Sequence, residues 1–312
     1  MGAMKTDVGT ISVTESQLIR YEEDGYVAFP RLFDATEVQA IRQALRQVMH
    51  RLLADARSGV GTCQKPKAGR TGNYDGAWIG RPDGRAMLLF EHSFDPLADV
   101  HALPDEVLAH VRKACSYEED HPHFAMLVQS PKIKGIAGQL LGEPAELFQV
   151  MGLIKPARIG SEKPWHQDNA YFKIAPLDRT VGFWMALDDA GVENGCMHVL
   201  PGWHRKGAFK HIHDSSDCRI LPERLVSEAG PVASVPAEAG VPVELPAGGA
   251  MFFSGMLPHR TPPNHSDKPR WAVQFHYRGV SSRQVDQTEY DRLFAERDGT
   301  PASCAVAGQN AK

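Results

Sequence analysis

The chain has 312 residues, 42% of them hydrophobic and 23% charged, the balance of an ordinary globular protein able to bury a substantial core. A formal net charge of -4 with a pI near 6.4 gives no basic footprint, so nucleic acid is not an expected partner. No apolar run is long enough to span a bilayer and no signal-peptide pattern opens the chain, so no membrane association is expected and the sequence reads as cytoplasmic.

Met1-Gly2-Ala3 reads as a cloning leader before a start at Met4. Thr14-Glu15-Ser16-Gln17 has capping-box form and predicts a short helix through Leu18, Ile19 and Tyr21. Gly25 to Pro30 is strand-like. Asp34-Ala35-Thr36-Glu37 offers a second capped start, after which Val38, Ile41, Leu45, Val48 and Leu52 recur at helical spacing. Arg42, Arg46 and Arg51 between them predict a basic face in water. Residues 58 to 85 carry seven glycines, with Tyr74, Trp78, Arg81 and Arg85, and read as a long loop, either a cover for a pocket or an exposed surface segment. Pro104 to Tyr117 reads as helical, and Ser130-Pro131 predicts a further helix that Gly142 ends.

From Leu147 the pattern changes to short runs rich in aromatic and β-branched residues with Gly, Pro and Asn punctuation. The predicted strands are Leu147 to Lys155, Val181 to Leu187, Met197 to Leu200, Val241 to Leu245, Ala250 to Ser254 and Trp271 to Tyr277, which argues for a sandwich or barrel. The expected organisation is one domain: helices and loop over 5–145, a strand-rich core over 146–280 with an insertion at 205–240, and a helix and tail over 281–312. Cys63, Cys115, Cys196, Cys218 and Cys304 are odd in number and lack CxxC spacing, so reduced thiols are expected rather than a disulfide framework or a zinc knuckle.

Pro164-Trp165-His166-Gln167-Asp168 sets an imidazole and a carboxylate two residues apart, and in an extended segment both side chains leave one face. Two ligands cover only part of a metal's coordination sphere. Downstream, an apolar run ends at Leu257-Pro258 and presents His259, and Arg270 opens another strand-like run. His211-Ile212-His213 and His121-Pro122-His123 share the i, i+2 spacing without a matching carboxylate, and His204 in Pro-Gly-Trp-His reads as part of a turn.

His-x-Asp, a long gap, then His259 and Arg270 resembles the Fe(II)/2-oxoglutarate-dependent dioxygenases, and the flanking residues resemble the phytanoyl-CoA dioxygenase family. Phe183 to Asp189, Glu193-Asn194-Gly195-Cys196-Met197, Leu200 to His204, Pro246 to Ala250 and the Asn264-His265-Ser266 loop carry the likeness. The resemblance implies a mainly β fold with flanking α-helices, its core a double-stranded β-helix of jelly-roll form. It further implies that His166, Asp168 and His259 hold Fe(II). Arg270 is then the partner of the far carboxylate of 2-oxoglutarate, with O2 as the second cosubstrate. Trp184 is expected to line the cosubstrate pocket, with Gln149 and Thr261 as polar contacts, and Trp165 and Tyr171 to shape it. Oxidative decarboxylation to succinate and CO2 then drives C–H hydroxylation of a small-molecule substrate. Because Asp168 is present, halogenation is not expected. Arg81, Arg85, Lys206 and Lys210 are candidates for a coenzyme A surface beside the alternative of a natural-product or amino-acid-like substrate. A cupin-like isomerase or hydrolase and a non-catalytic binding module of the same fold stay open, and the sequence sets no oligomeric state.

Overall fold

The computed structural model describes residues 12–64, 76–83, 85–94, 100–213, 218–220, 226–227, 230–231 and 240–294. The first helix, α1 (Glu15–Asp24), has the expected reciprocal cap: Thr14 accepts from the Gln17 backbone while the Gln17 side chain accepts from the Thr14 N–H at 2.9 Å. Gly25 ends it at φ 83°, a left-handed value, where a Cβ would also fall 2.5 Å from the His204 ring. The chain then enters β1 (Tyr26–Phe29) and, after an Asp34/Glu37 capping box, α2 (Ala35–Arg57).

α2 buries Ile41, Leu45, Val48, Leu52 and Leu53 in the main core. Its basic face departs from the expectation of full hydration. Arg42 pairs with Asp188 at 2.6 Å, and the guanidinium groups of Arg42 and Arg46 lie 5.8 and 5.6 Å from the Trp271 ring centroid. Long basic side chains cover apolar surface with their stems while keeping a polar end satisfied.

The stretch read as loop and helix contributes four strands: β2 (Thr62–Gln64), β3 (Trp78–Gly80), β4 (Met87–Phe90) and β5 (Val111–Cys115). Tyr74 and residues 65–75 generally lie outside the described residues. The helix expected at Pro104 to Tyr117 is a 3-10 turn over Asp105–His110 followed by β5, because pairing with strands on both sides outweighs a helical spacing of Val107, Leu108 and Val111. α3 (Pro122–Leu127) follows, and the helix expected from Ser130 runs as a wide turn over Pro131–Gly135 into α4 (Ile136–Leu141), ended by Gly142 at φ 69°.

The remaining chain is strand-rich. β6 (Ala145–Lys155), β7 (Lys163–His166), the short α5 (Asn169–Phe172), β8 (Ile174–Ala175), β9 (Thr180–Ala186) and β10 (Met197–Val199) come first. The segment expected as an insertion holds β11 (His211–His213), β12 (Cys218–Ile220), β13 (Val226–Ser227) and β14 (Gly230–Pro231). Then follow β15 (Val241–Val243), β16 (Ala250–Ser254), β17 (His259–Thr261), β18 (Arg270–Gly279), β19 (Arg283–Gln284) and α6 (Gln287–Phe294).

An antiparallel nine-stranded sheet runs β1-β16-β9-β18-β6-β5-β4-β3-β2, and a four-stranded sheet runs β15-β10-β17-β7. Strand alternation divides the large sheet between two cores. Phe183, Phe252, Val273 and Phe275 point to the layer containing α2, while Trp184, Met251, Phe253 and Ala272 meet Met197 and Val199 of the small sheet and Leu257 just before β17. This is the expected jelly-roll core, and the gap between its sheets holds the site.

Candidate active site

Strand register brings the two histidines together. β17 pairs with β7 so that His259 lies opposite His166, with ring centroids 4.2 Å apart. β7 stops at His166, and Asp168 already has φ -62° and ψ -32° at the start of α5. The expected extended i, i+2 face is therefore a strand end turning into a helix. The outcome is still convergence: Asp168 Oδ1 lies 3.3 Å from His166 Nε2 and 3.6 Å from His259 Nε2. All three ligand atoms fall within 4.8 Å of one another, close enough to hold one metal ion, and all three residues are buried.

Each of the three is fixed from behind. His166 Nδ1 lies 2.8 Å from the Pro164 carbonyl and His259 Nδ1 lies 2.9 Å from the Leu257 carbonyl. A carbonyl only accepts, so each Nδ1 carries the proton and each Nε2 offers its lone pair. Asp168 Oδ2 accepts from His276 Nε2 at 2.7 Å and from Gln274 Nε2 at 3.3 Å, which leaves Oδ1 to the ligand cluster. Burial, followed by the neighbouring His166, pushes the His259 imidazole down to about 3, so it is neutral near pH 7. Burial pushes the Asp168 carboxyl up, but the neighbouring His259, His276 and His166 together hold it well below the usual carboxylate range.

Gln167, between two of the ligands, points the other way. Its amide donates to the Met256 carbonyl at 2.7 Å and the Gly207 carbonyl at 3.0 Å, and accepts from the Phe209 N–H at 2.8 Å. Its backbone N–H donates to His211 Nε2 at 3.0 Å, so this histidine braces the motif from outside the ligand set. Gly255 has no room for a side chain, since a Cβ there would sit 2.3 Å from Asn169 Oδ1.

A cavity of about 100 Å³ opens beside the cluster, and Gln149, Thr261, Tyr171 and Arg270 all line it. Arg270, at the head of β18 opposite Lys155, is 2% exposed, and its Nε and Nη1 have no hydrogen-bond partner among the described residues. Burial lowers the guanidinium to about 10, which keeps it charged at neutral pH. Trp184 lies beneath it, the Arg270 Cζ 5.4 Å from the ring centroid, in the layer between the sheets rather than in the cavity lining. Trp165 likewise packs under Arg260, 5.2 Å away, outside the lining.

The four basic residues considered for a coenzyme A surface do not converge on the cavity. Arg81 pairs with Asp120 and Arg85 with Glu119, Lys206 lies over Trp203, and Lys210 donates to the Arg292 carbonyl. His204 reaches the Glu22 carbonyl at 3.2 Å within a 3-10 turn, and His121 caps α3. Cys63, Cys115 and Cys196 are free. Sequence reading passed over Gln274, His276, Lys155 and Lys113. A signal for the first two existed: counting by twos from Arg270 along β18 reaches 274 and 276 on the same face.

A family model described as phytanoyl-CoA dioxygenase (PhyH) matches residues 21–272. The chain belongs to the phytanoyl-CoA dioxygenase family. The phytanoyl-CoA dioxygenase domain-containing protein 1 of Mus musculus is 26% identical over 273 residues, covering 85% of this chain and 89% of that protein. A methylphosphonate hydroxylase of Gimesia maris is 26% identical over 294 residues, covering 93% and 91%. Among solved structures, a non-haem α-ketoglutarate-dependent carbocyclase from nogalamycin biosynthesis superposes with a TM-score of 0.58 at 23% identity, covering 91% of this chain and 92% of that one. Membership of the phytanoyl-CoA dioxygenase family makes the chain an Fe(II)- and 2-oxoglutarate-dependent oxygenase by class. The donor set fits that class: two imidazoles and one carboxylate leave coordination positions open, and a guanidinium whose Nε and Nη1 have no partner among the described residues stands in the same cavity. Among the described residues no helix is long and apolar enough to cross a membrane.

Proposed function

We propose that this phytanoyl-CoA dioxygenase family member hydroxylates an unactivated C–H bond of a small molecule. The observation that carries the reading is one cavity holding both the converging His166, Asp168 and His259 atoms and the buried Arg270 guanidinium with unpartnered Nε and Nη1. His166, Asp168 and His259 would hold Fe(II) from one side. Arg270 would take the far carboxylate of 2-oxoglutarate through two parallel hydrogen bonds. An isolated buried charge costs on the order of several kcal/mol, so an anion is the natural complement of Arg270.

When bound, the iron supplies redox chemistry that couples loss of CO2 from 2-oxoglutarate to oxidation of the substrate. The overall change is balanced: R–H, O2 and 2-oxoglutarate give R–OH, succinate and CO2, with one oxygen atom in the hydroxyl and the other in succinate. The chain's own task is orientation. Nδ1–H bonds to Pro164 and Leu257 aim the two imidazoles, and His276 and Gln274 aim the Asp168 carboxylate. Trp184 supports the Arg270 plane from below. The name of the Gimesia maris relative supports a hydroxylation outcome.

The test is anaerobic reconstitution with Fe(II), titration with 2-oxoglutarate while following the visible charge-transfer band of the chelate, and His166→Ala as the control. A band in the wild type alone, followed by substrate-dependent succinate formation and incorporation of labelled oxygen from O2 into a product hydroxyl, is the expected result. Absence of the band in folded, iron-loaded protein would remove the reading.

A further inference from the structure

Beyond Arg270, four more basic side chains reach the cavity wall. Arg112, Lys113, Lys155, Lys163 and Arg270 all line it, against Asp168 as the one carboxylate among the described lining residues. Lys155 belongs to the Arg270 end: it lies opposite Arg270 in register, is 5% exposed, and donates to the carbonyls of Ser161 and Thr261. Lys113 is placed differently. In β5 it lies opposite Leu153, which lies opposite Ala272, and Ala272 stands in β18 midway between Arg270 and Gln274. Lys113 is thus about 10 Å, two strand spacings, to the side of the line joining the guanidinium to the ligand cluster. Its side chain makes no hydrogen bond or ion pair among the described residues.

Two further basic side chains at this wall have partners of their own. Arg112 donates to Ser161 Oγ at 2.7 Å and to the Glu162 carbonyl at 3.2 Å, and the Lys163 ammonium lies 4.8 Å from the Tyr171 ring centroid. The floor between Lys113 and the ligands is apolar: Met151 and Leu153 line the cavity, and Leu89 and Cys115 continue the same buried patch. A neutral substrate would desolvate the Lys113 ammonium without supplying a partner, whereas an anion would neutralise it.

We infer that the substrate is a small molecule bearing one oxyanionic group, a carboxylate, phosphonate or phosphate, seated by Lys113 with its short apolar part over Met151 and Leu153. This rests on the oxygenase reading above and narrows it. Arg81, Arg85, Lys206 and Lys210 are engaged elsewhere, so among the described residues these four do not assemble a site for a nucleotide-sized carrier, and a small anion suits the cavity better.

The experiment uses the full chain reconstituted with Fe(II) and 2-oxoglutarate, with the charge-transfer band recorded first, so that failure of the oxygenase reading shows before any substrate is added. Succinate formation is then measured with methylphosphonate, ethylphosphonate, propionate and butyrate, and with the neutral butyramide and 1-butanol. At least one anion is expected to raise the rate fivefold or more over the substrate-free rate while the neutral compounds do not, and the preferred anion identifies phosphonate or carboxylate chemistry. Lys113→Met should raise the KM for that anion at least tenfold with the 2-oxoglutarate band retained, and Lys113→Arg should recover most of the loss. Stimulation by the neutral compounds equal to that by the anions overturns the inference. So does silence from every anion with the band present, or an unchanged KM in Lys113→Met.

Discussion

At the His166, Asp168 and His259 end of the cavity each of the three side chains is held from behind, whereas at the Arg270 end two buried nitrogen atoms have no partner among the described residues. The first end is complete before anything binds. The second is an unsatisfied charge that a ligand must complete. A site can thus be rigid where geometry sets the chemistry and deficient where it selects a ligand by charge, because the cost of an unpaired buried cation becomes affinity for an anion.

The largest expected effect comes from breaking the complete end outright. Asp168→Ala removes the anionic ligand and should reduce substrate-dependent succinate formation to background, while circular dichroism remains that of the folded wild type; retained turnover would take Asp168 out of the ligand set. Arg270→Lys tests the deficient end. It keeps a positive charge but loses the paired donors, and the KM for 2-oxoglutarate should rise about 10- to 100-fold, the worth of one or more hydrogen bonds to a charged group. An unchanged KM would show that the guanidinium serves only the fold.

A subtler probe leaves all ligands in place and loosens one support. His276→Phe removes the 2.7 Å hydrogen bond to Asp168 Oδ2. Fe(II) affinity in an anaerobic competition titration should fall about tenfold, with His276→Gln restoring part of it. Equal affinities in all three proteins would mean that Gln274 alone orients the carboxylate.

The smallest effect concerns the bracing histidine. Burial lowers His211 from 6.5 to about 3, so below pH 6.5 the unfolded chain takes up a proton that the folded protein does not. The stability this group contributes is full above pH 6.5 and is lost as pH falls toward about 3, amounting to about 1 kcal/mol between pH 6.5 and 5.5. Urea unfolding at those two pH values should show a loss in the wild type that His211→Gln lessens by that amount.

The convergence of His166, Asp168 and His259 was legible because these residues and Arg270 occur in a recognisable order. Their supports were harder to see. His276 and Gln274 sit in an alternating run, Trp271 to Tyr277, whose apolar members dominate the reading, and only the strand face shared with Arg270 marks them. β5 was hidden for a different reason: Val111 to Cys115 has no strong strand pattern of its own and is extended because β4 and β6 flank it. With that strand misread, Lys113 had no route to the cavity. Trp184 shows the converse limit. Its position on the inward face of β9 was readable, but that Arg270 would lie over it and separate it from the lining depends on packing between two sheets.

The pairing of His259 Nδ1 with the Leu257 carbonyl has a thermodynamic corollary. The imidazole is already neutral, with its proton on the side facing away from the cluster, and Asp168 is already ionised. Metal uptake at these two ligands near neutral pH therefore displaces no proton into solution. The heat that they contribute to metal binding is the same in phosphate as in Tris, whose ionisation enthalpies differ.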